Sequence, residues 1–350
     1  MRRLPIYFLV DVSESMVGDP IEQVQNGMRT IIQELRVDPY ALETAFVSVI
    51  AFAGKAKSIS PLTELYKFYP PVFPIGGGTS LGAALDYLMD DMDRSLQKTT
   101  MDIKGDWKPI VFLFTDGNPT DDTTKSFVKW NAKYRNSCNL IAISIGDNVD
   151  TYILGQISDN VLLLKDTDAE SFSKFFKWVT ASIKATSVSV TDYSNDDVQL
   201  APTSGINLEK VDTSKSVKID ENYAVVLGKC QTTDKQYLIK YSKKLRSSQF
   251  SILDGFSVKE FGLVGAYPID EKSYYELSAY GQSNVHVNTS ELRGYPACPC
   301  CGNQLGFVVC ECGNIFCAGE NSNSHCPWCG MEGELSCIEG GGIDVNRTRG

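Results

Sequence analysis

Between residues 6 and 186 the chain alternates short, almost purely apolar runs with longer segments whose apolar residues return at helical spacing. Runs that lack polar alternation belong to strands buried on both faces, and strands separated by helices pair in parallel. The pattern therefore predicts an α/β unit with an open, mostly parallel sheet flanked by helices. Runs at 6–10, 45–52, 110–114, 140–145 and 161–164 supply the strands. Ile21, Val24, Met28, Ile31, Ile32 and Leu35 follow Pro20 as one helix, and Leu81, Ala84, Leu85, Leu88 and Met92 follow Thr79 and Ser80 as another. Residues 172–183 are expected to close the layer.

Past residue 185 the composition shifts to Ser, Thr, Asp and Asn, with β-type stretches at 223–227, 237–241 and 250–253. A third composition, dominated by cysteine, begins at Cys298. The chain thus divides into an α/β unit at 1–186, a β-rich middle region at 187–296, a small zinc-ribbon-like domain at 297–338 and a Gly-rich flexible tail at 339–350. A length of 350 residues with 43% apolar composition is enough for more than one core. The first apolar run stops at Asp11, which reads as a strand and not as a leader, and no run of about eighteen apolar residues is present. A soluble, cytoplasmic protein without a membrane partner is expected.

Three groups of residues carry the chemistry of the front half. They are Asp11-Val12-Ser13-Glu14-Ser15, Thr79 after three glycines, and Asp116 before Gly117. Each lies just past a predicted strand or at a helix start, where the carboxyl ends of parallel strands open a crevice. Residues at i, i+2 and i+4 of an extended segment face one side, so Asp11, Ser13 and Ser15 can share one point. The five donors are all oxygens, which suits Mg²⁺ or Mn²⁺ and disfavours zinc. Three are neutral hydroxyls, so the ion stays electrophilic and keeps a place for an outside carboxylate from an Asp or Glu. Gly76, Gly77 and Gly78 fit either a flexible loop or a close backbone approach.

This set resembles the metal-ion-dependent adhesion site of von Willebrand factor A domains, with a Rossmann-like fold, over residues 5 to 186. The resemblance implies that Ser13, Ser15 and Thr79 ligate Mg²⁺ directly or nearly so, while Asp11 and Asp116 often act through water. A phosphoesterase at the same site is the enzyme alternative. It lacks support because Ser13 stands where aspartyl-phosphate phosphatases carry a second Asp, no phosphate loop is present, and His286 and His325 are distant in sequence. No catalytic residue is assigned.

Eight of the eleven cysteines fall between Cys298 and Cys329, in close pairs that favour zinc in a reducing compartment over disulfides. Cys298-x-x-Cys301-Gly and Cys326-x-x-Cys329-Gly are zinc knuckles, each turning at its glycine so that two thiolates point inward. Cys310, Cys312 and Cys317, with His325, supply donors for a second tetrahedral site, so one or two Zn²⁺ ions are expected. Cys298 and Cys301 can share an ion with Cys326 and Cys329 or with Cys310 and Cys312, with Cys300 or Cys337 spare. His325 is a ligand or a loop residue, His286 is structural, and Cys138 and Cys230 read as core residues. A nucleic-acid role for the ribbon is disfavoured. The net charge is −10, and from Cys298 onward there are six acidic residues, two arginines and no lysine.

The whole arrangement looks like the bacterial TerY family associated with tellurite resistance. That resemblance implies a non-enzymatic cytoplasmic adaptor of a stress-response system, whose neighbours include a protein kinase and a PP2C-type phosphatase.

Overall fold

The computed structural model describes residues 2–146, 149–166, 168–191, 200–202, 208–211, 213, 222–243, 260–279, 281, 285–319, 323–334 and 342–348. The expected stretch at 250–253 and Cys337 lie outside these residues.

The front half runs β1 (Leu4–Asp11), α1 (Asp19–Arg36), α2 (Pro39–Thr44), β2 (Ala45–Phe52), β3 (Ala56–Glu64), α3 (Leu81–Ser95), β4 (Ile110–Thr115), α4 (Thr124–Lys133), β5 (Asn139–Ile145), α5 (Thr151–Gly155), β6 (Asn160–Leu164), α6 (Ala169–Thr191) and β7 (Leu208–Lys210). The strands form one sheet in the order β3-β2-β1-β4-β5-β6-β7. Strands β2, β1, β4, β5 and β6 are parallel, and only the outer pairs, β2 with β3 and β6 with β7, are antiparallel. Successive residues of β1 feed opposite faces. Leu4, Ile6, Phe8 and Val10 pack with α1 and α6, whereas Tyr7 and Leu9 pack with α3 and α4. A strand buried on both sides tolerates no polar alternation, which is why its sequence reads as a continuous apolar run.

The rest of the described chain runs β8 (Tyr223–Lys229), β9 (Gln236–Lys243), β10 (Phe261–Pro268), α7 (Glu271–Leu277), β11 (His286–Asn288), β12 (Leu292–Arg293), β13 (Phe307–Val309), β14 (Ile315–Cys317), β15 (Asn323–His325), β16 (Glu332–Glu334) and β17 (Asp344–Asn346). A second sheet has the order β12-β10-β9-β8-β14-β13. Its β8–β14 pairing, Ile315 with Gly228, joins the cysteine-rich segment to the region before it. Strands β8, β9, β10 and β12 of the stretch expected at 187–296 therefore share one sheet with β13 and β14 of the stretch expected at 297–338, while β7 joins the first sheet. Residues 342–348, where a frayed end is expected, hold β17 against β11 and donate from Thr348 N–H to Val225 O at 2.8 Å. Backbone hydrogen bonds to buried neighbours outweigh the local Gly-rich signal there.

Helices α1 and α6 approach closely at Gly27, where a Cβ would lie 1.9 Å from the buried ring of Phe176. A Gly27→Ala change overpacks this contact at a cost of about 1–3 kcal/mol, offset by about 1 kcal/mol of helix propensity. Urea unfolding should show a lower midpoint at unchanged slope; an unaltered midpoint would mean the helices separate freely.

Candidate metal centres

Strand β1 sits between β2 and β4. From its carboxyl end the chain runs on toward β2, whereas from the carboxyl end of β4 it runs the other way toward β5, and such a switch point opens a crevice. Asp11 is the last residue of β1, and Asp116 immediately follows β4. After Asp11 the backbone stays extended at Ser13 (φ −62°, ψ 167°) and then makes a single 3-10 turn over Glu14–Met16. These elements place Asp11, Ser13, Ser15 and Asp116 in one hydrogen-bonded chain. Ser13 N–H donates to Asp11 Oδ1 at 2.9 Å, and Thr115 Oγ1 donates to Asp11 Oδ2 at 2.6 Å. The Ser13 and Ser15 hydroxyls lie 3.0 Å apart, and Ser15 Oγ donates to Asp116 Oδ1 at 2.7 Å.

Thr79 enters from the loop before α3, its N–H bonded to Thr120 Oγ1 at 2.9 Å. Gly117 shows where the hydroxyls converge. A Cβ there would stand 3.3 Å from Thr79 Oγ1 and 4.0 Å from Ser15 Oγ. All five oxygen-bearing residues are at most 6% exposed. Burial, and then the neighbouring Asp116 charge, push the Asp11 carboxyl up to about 7 against the bonds from Thr115 and Ser13. Burial also raises Asp116, opposed by the Lys240 charge and the Ser15 bond. Two buried carboxylates and three neutral hydroxyls around a space that a Cβ would fill match the donor set of a hard divalent cation.

The second sheet packs directly on this site. Lys240 of β9, only 2% exposed, donates from Nζ to Ser15 O and, at 3.1 Å, to Val17 O. Tyr274 of α7 donates to Glu14 Oε1 at 2.7 Å, and Glu14 Oε2 accepts from Gly78 N–H at 3.0 Å. Ala279 N–H donates to Gly77 O, and Gly77 N–H donates to Ser278 Oγ. A Cβ on Gly76 would meet Leu277 Cβ at 2.7 Å, and one on Gly77 would meet Glu14 Oε1 at 2.9 Å. Close approach, by Glu14 and the end of α7, therefore accounts for glycines at 76 and 77. Sequence reasoning missed Lys240, Tyr274 and Glu14.

The cysteines form two clusters, in each of which the four sulfurs lie within 4.8 Å of one another. The first holds Cys230, Cys298, Cys301 and Cys317, and the second Cys310, Cys312, Cys326 and Cys329. Sulfur separations are 4.0 Å for Cys301–Cys317, 3.6 Å for Cys310–Cys329 and 3.8 Å for Cys312–Cys326. The edge of a tetrahedron with Zn–S bonds of about 2.3 Å is about 3.8 Å. Gly302, Gly313 and Gly330 take positive φ of 78°, 83° and 77°, making the sharp turns expected of the knuckles.

Neither pairing expected for Cys298 and Cys301 occurs. They face Cys317 of β14 and Cys230, which is buried in the second core as expected but also sits in the β8–β9 turn and joins the cluster. His325 lies in β15 opposite Glu332 and joins neither cluster. Cys300 is also outside both, and Cys138 is buried in the front core. At Cys230 the hairpin turn brings the Thr233 N–H to donate to its sulfur at 3.4 Å, as in a knuckle, an arrangement that its isolated place in the sequence does not announce.

The von Willebrand factor type A domain model matches residues 6–178, and the TerY-C metal binding domain model matches residues 220–350. Human inter-alpha-trypsin inhibitor heavy chain H6 is 26% identical over 159 residues, 44% of this chain; the match spans only 12% of that relative's length. Among solved structures, a von Willebrand factor type A protein from Catenulispora acidiphila is 13% identical with a TM-score of 0.41, covering 78% of this chain and 68% of that one. Proximal thread matrix protein 1 from the mussel byssus, solved with a zinc occupied MIDAS motif, is 18% identical with a TM-score of 0.38, covering 53% of this chain and 46% of that one. With the first model on the parallel sheet and the second on the unit that gathers the cysteines, the chain is a TerY-like protein, a VWA domain followed by a TerY-C metal binding domain.

Proposed function

We propose that the protein is a non-enzymatic adaptor that docks an Asp or Glu of a partner protein on Mg²⁺ held by Asp11, Ser13, Ser15, Thr79 and Asp116. The observation that carries this reading is the convergence of the Thr79 and Ser15 hydroxyls on one space above Gly117, beside two buried carboxylates. When bound, the ion supplies an electrophilic coordination place for an anionic oxygen. The chain's own part is to fix the donors. Asp11 has both oxygens engaged, by Ser13 N–H and Thr115 Oγ1, which orients it as a ligand and not as a nucleophile. The setting proposed is a bacterial tellurite-resistance or stress-response system in the cytoplasm, with a protein kinase and a PP2C-type phosphatase as partners. The TerY-C clusters are proposed to hold one Zn²⁺ each, since four thiolates at tetrahedral spacing suit that ion.

Three measurements test these assignments. Partner proteins retained on the immobilised chain in Mg²⁺ should elute with EDTA and fail to bind a folded Thr79→Ala variant; retention in both conditions would remove metal-mediated docking.

Asp11 gives a pH signature. Its folded pKa of about 7 lies above the unfolded value of about 3.9, so the folded state holds the extra proton and the metal-free protein loses stability as pH rises between them. Its melting temperature should fall across that window, and saturating Mg²⁺ should recover it most at pH 7 and above, where the carboxylate is free to bind. A recovery equal at pH 5 and pH 8 would place the ion elsewhere.

Elemental analysis should give two zinc ions per chain, falling to about one in Cys230→Ser. An unchanged content in that variant would exclude Cys230 as a ligand.

A further inference from the structure

Lys240 is a charged residue almost wholly removed from water, 2% exposed, and it comes from a different domain than the loop it touches. Its ammonium donates to two carbonyls, Ser15 O and Val17 O, and not to a carboxylate. The Tyr223 ring lies 4.5 Å away and adds a cation–π contact. Burial lowers its pKa below the usual lysine value, and the charges of Asp116 and then Asp19 oppose that fall. Asp19 lies on the surface, where water screens it, so the buried Asp116 is the dominant partner. Burial lowers the Arg347 pKa, and the Glu14 charge opposes that fall.

We propose that Lys240, delivered by the TerY-C domain, sets the ligand preference of the VWA metal site: its fixed positive charge weakens the hold on the divalent ion and strengthens the loaded site's hold on an incoming carboxylate. The inference rests on Asp11, Ser13, Ser15, Thr79 and Asp116 being a divalent-cation site. With both carboxylates ionised, a divalent ion alone leaves that pocket neutral. Lys240 makes it cationic by one charge, and one carboxylate from outside returns it to zero. In a buried pocket these charges interact far more strongly than at a surface, so a net charge on either side of neutrality is disfavoured. The adaptor is thereby tuned for acids and against neutral or cationic oxygen donors. Because β9 carries the lysine, correct docking of the TerY-C domain is part of the site's electrostatics and not only of its support.

Full-length wild type, Lys240→Met, Lys240→Gln, Lys240→Arg and Asp116→Ala are titrated with Mg²⁺ and Mn²⁺ by calorimetry. The Mn²⁺-loaded forms are then titrated with acetate, following water-proton relaxation. Lys240→Met and Lys240→Gln should bind either metal roughly tenfold more tightly and acetate several-fold more weakly, with Lys240→Arg close to wild type. Gln keeps a donor for the Ser15 and Val17 carbonyls, so its agreement with Met separates charge from bracing. Metal affinity that is unchanged or weaker in both neutral variants, while Arg behaves as wild type, overturns the inference but leaves the metal site standing. Wild type that binds neither metal, with Asp116→Ala no different, sinks the metal reading and this inference with it.

Discussion

Two carboxylates lie side by side beneath the surface, at the ends of adjacent parallel strands, and their mutual repulsion sets the terms for everything around them. Asp11 and Asp116 are 0% and 4% exposed, and ionised groups so placed cost several kcal/mol unless they are compensated. Compensation comes in layers. Thr115 and the Ser13 N–H hold Asp11, and Ser15 holds Asp116. Lys240 then reaches across from the second domain and opposes the rise of Asp116. The sheet supplies the position, the hydroxyls supply direction, and the balance of charge is left open for a cation.

That arrangement explains why the two domains share so intimate a boundary. Helix α7 ends against Gly76 and Gly77, and its Tyr274 shares Glu14 with the Gly78 N–H. Leu277 is buried in the same apolar cluster as β1 and α1, so the contact is also hydrophobic. The loops that carry Ser15 and Thr79 are each gripped by residues of the TerY-C unit. A shift of that unit would move both loops together, because interfaces packed in this way have few intermediate arrangements.

The parallel sheet was legible because a strand buried on both faces leaves an unbroken apolar run, as 6–10 and 110–114 do. Asp11, Ser13 and Ser15 were legible because one extended segment carries all three, and Thr79 and Asp116 because each adjoins a recognisable element. Lys240 was not. It lies in a strand buried at six consecutive positions, where a lysine gives no hint of what it faces. Contacts between domains leave no periodic trace in sequence. Cys230 was missed for a related reason. It stands alone in a hairpin turn, 68 positions before Cys298, whereas spacing rules see only cysteines that are neighbours along the chain. His325 misled by the opposite route, being close in sequence to a knuckle yet in a strand that pairs it with Glu332 and outside both cysteine clusters.

The turn that carries Cys230 has a practical corollary for anyone dissecting this chain. A fragment beginning at residue 297 would keep Cys298, Cys301 and Cys317 but lose the fourth thiolate and the β8 edge on which β14 lies. Three thiolates leave a tetrahedral metal one ligand short, a corner that buffer anions or stray thiols fill. Aggregation or promiscuous capture by such a piece would report a severed thiol cluster, so excision should start upstream of Tyr223.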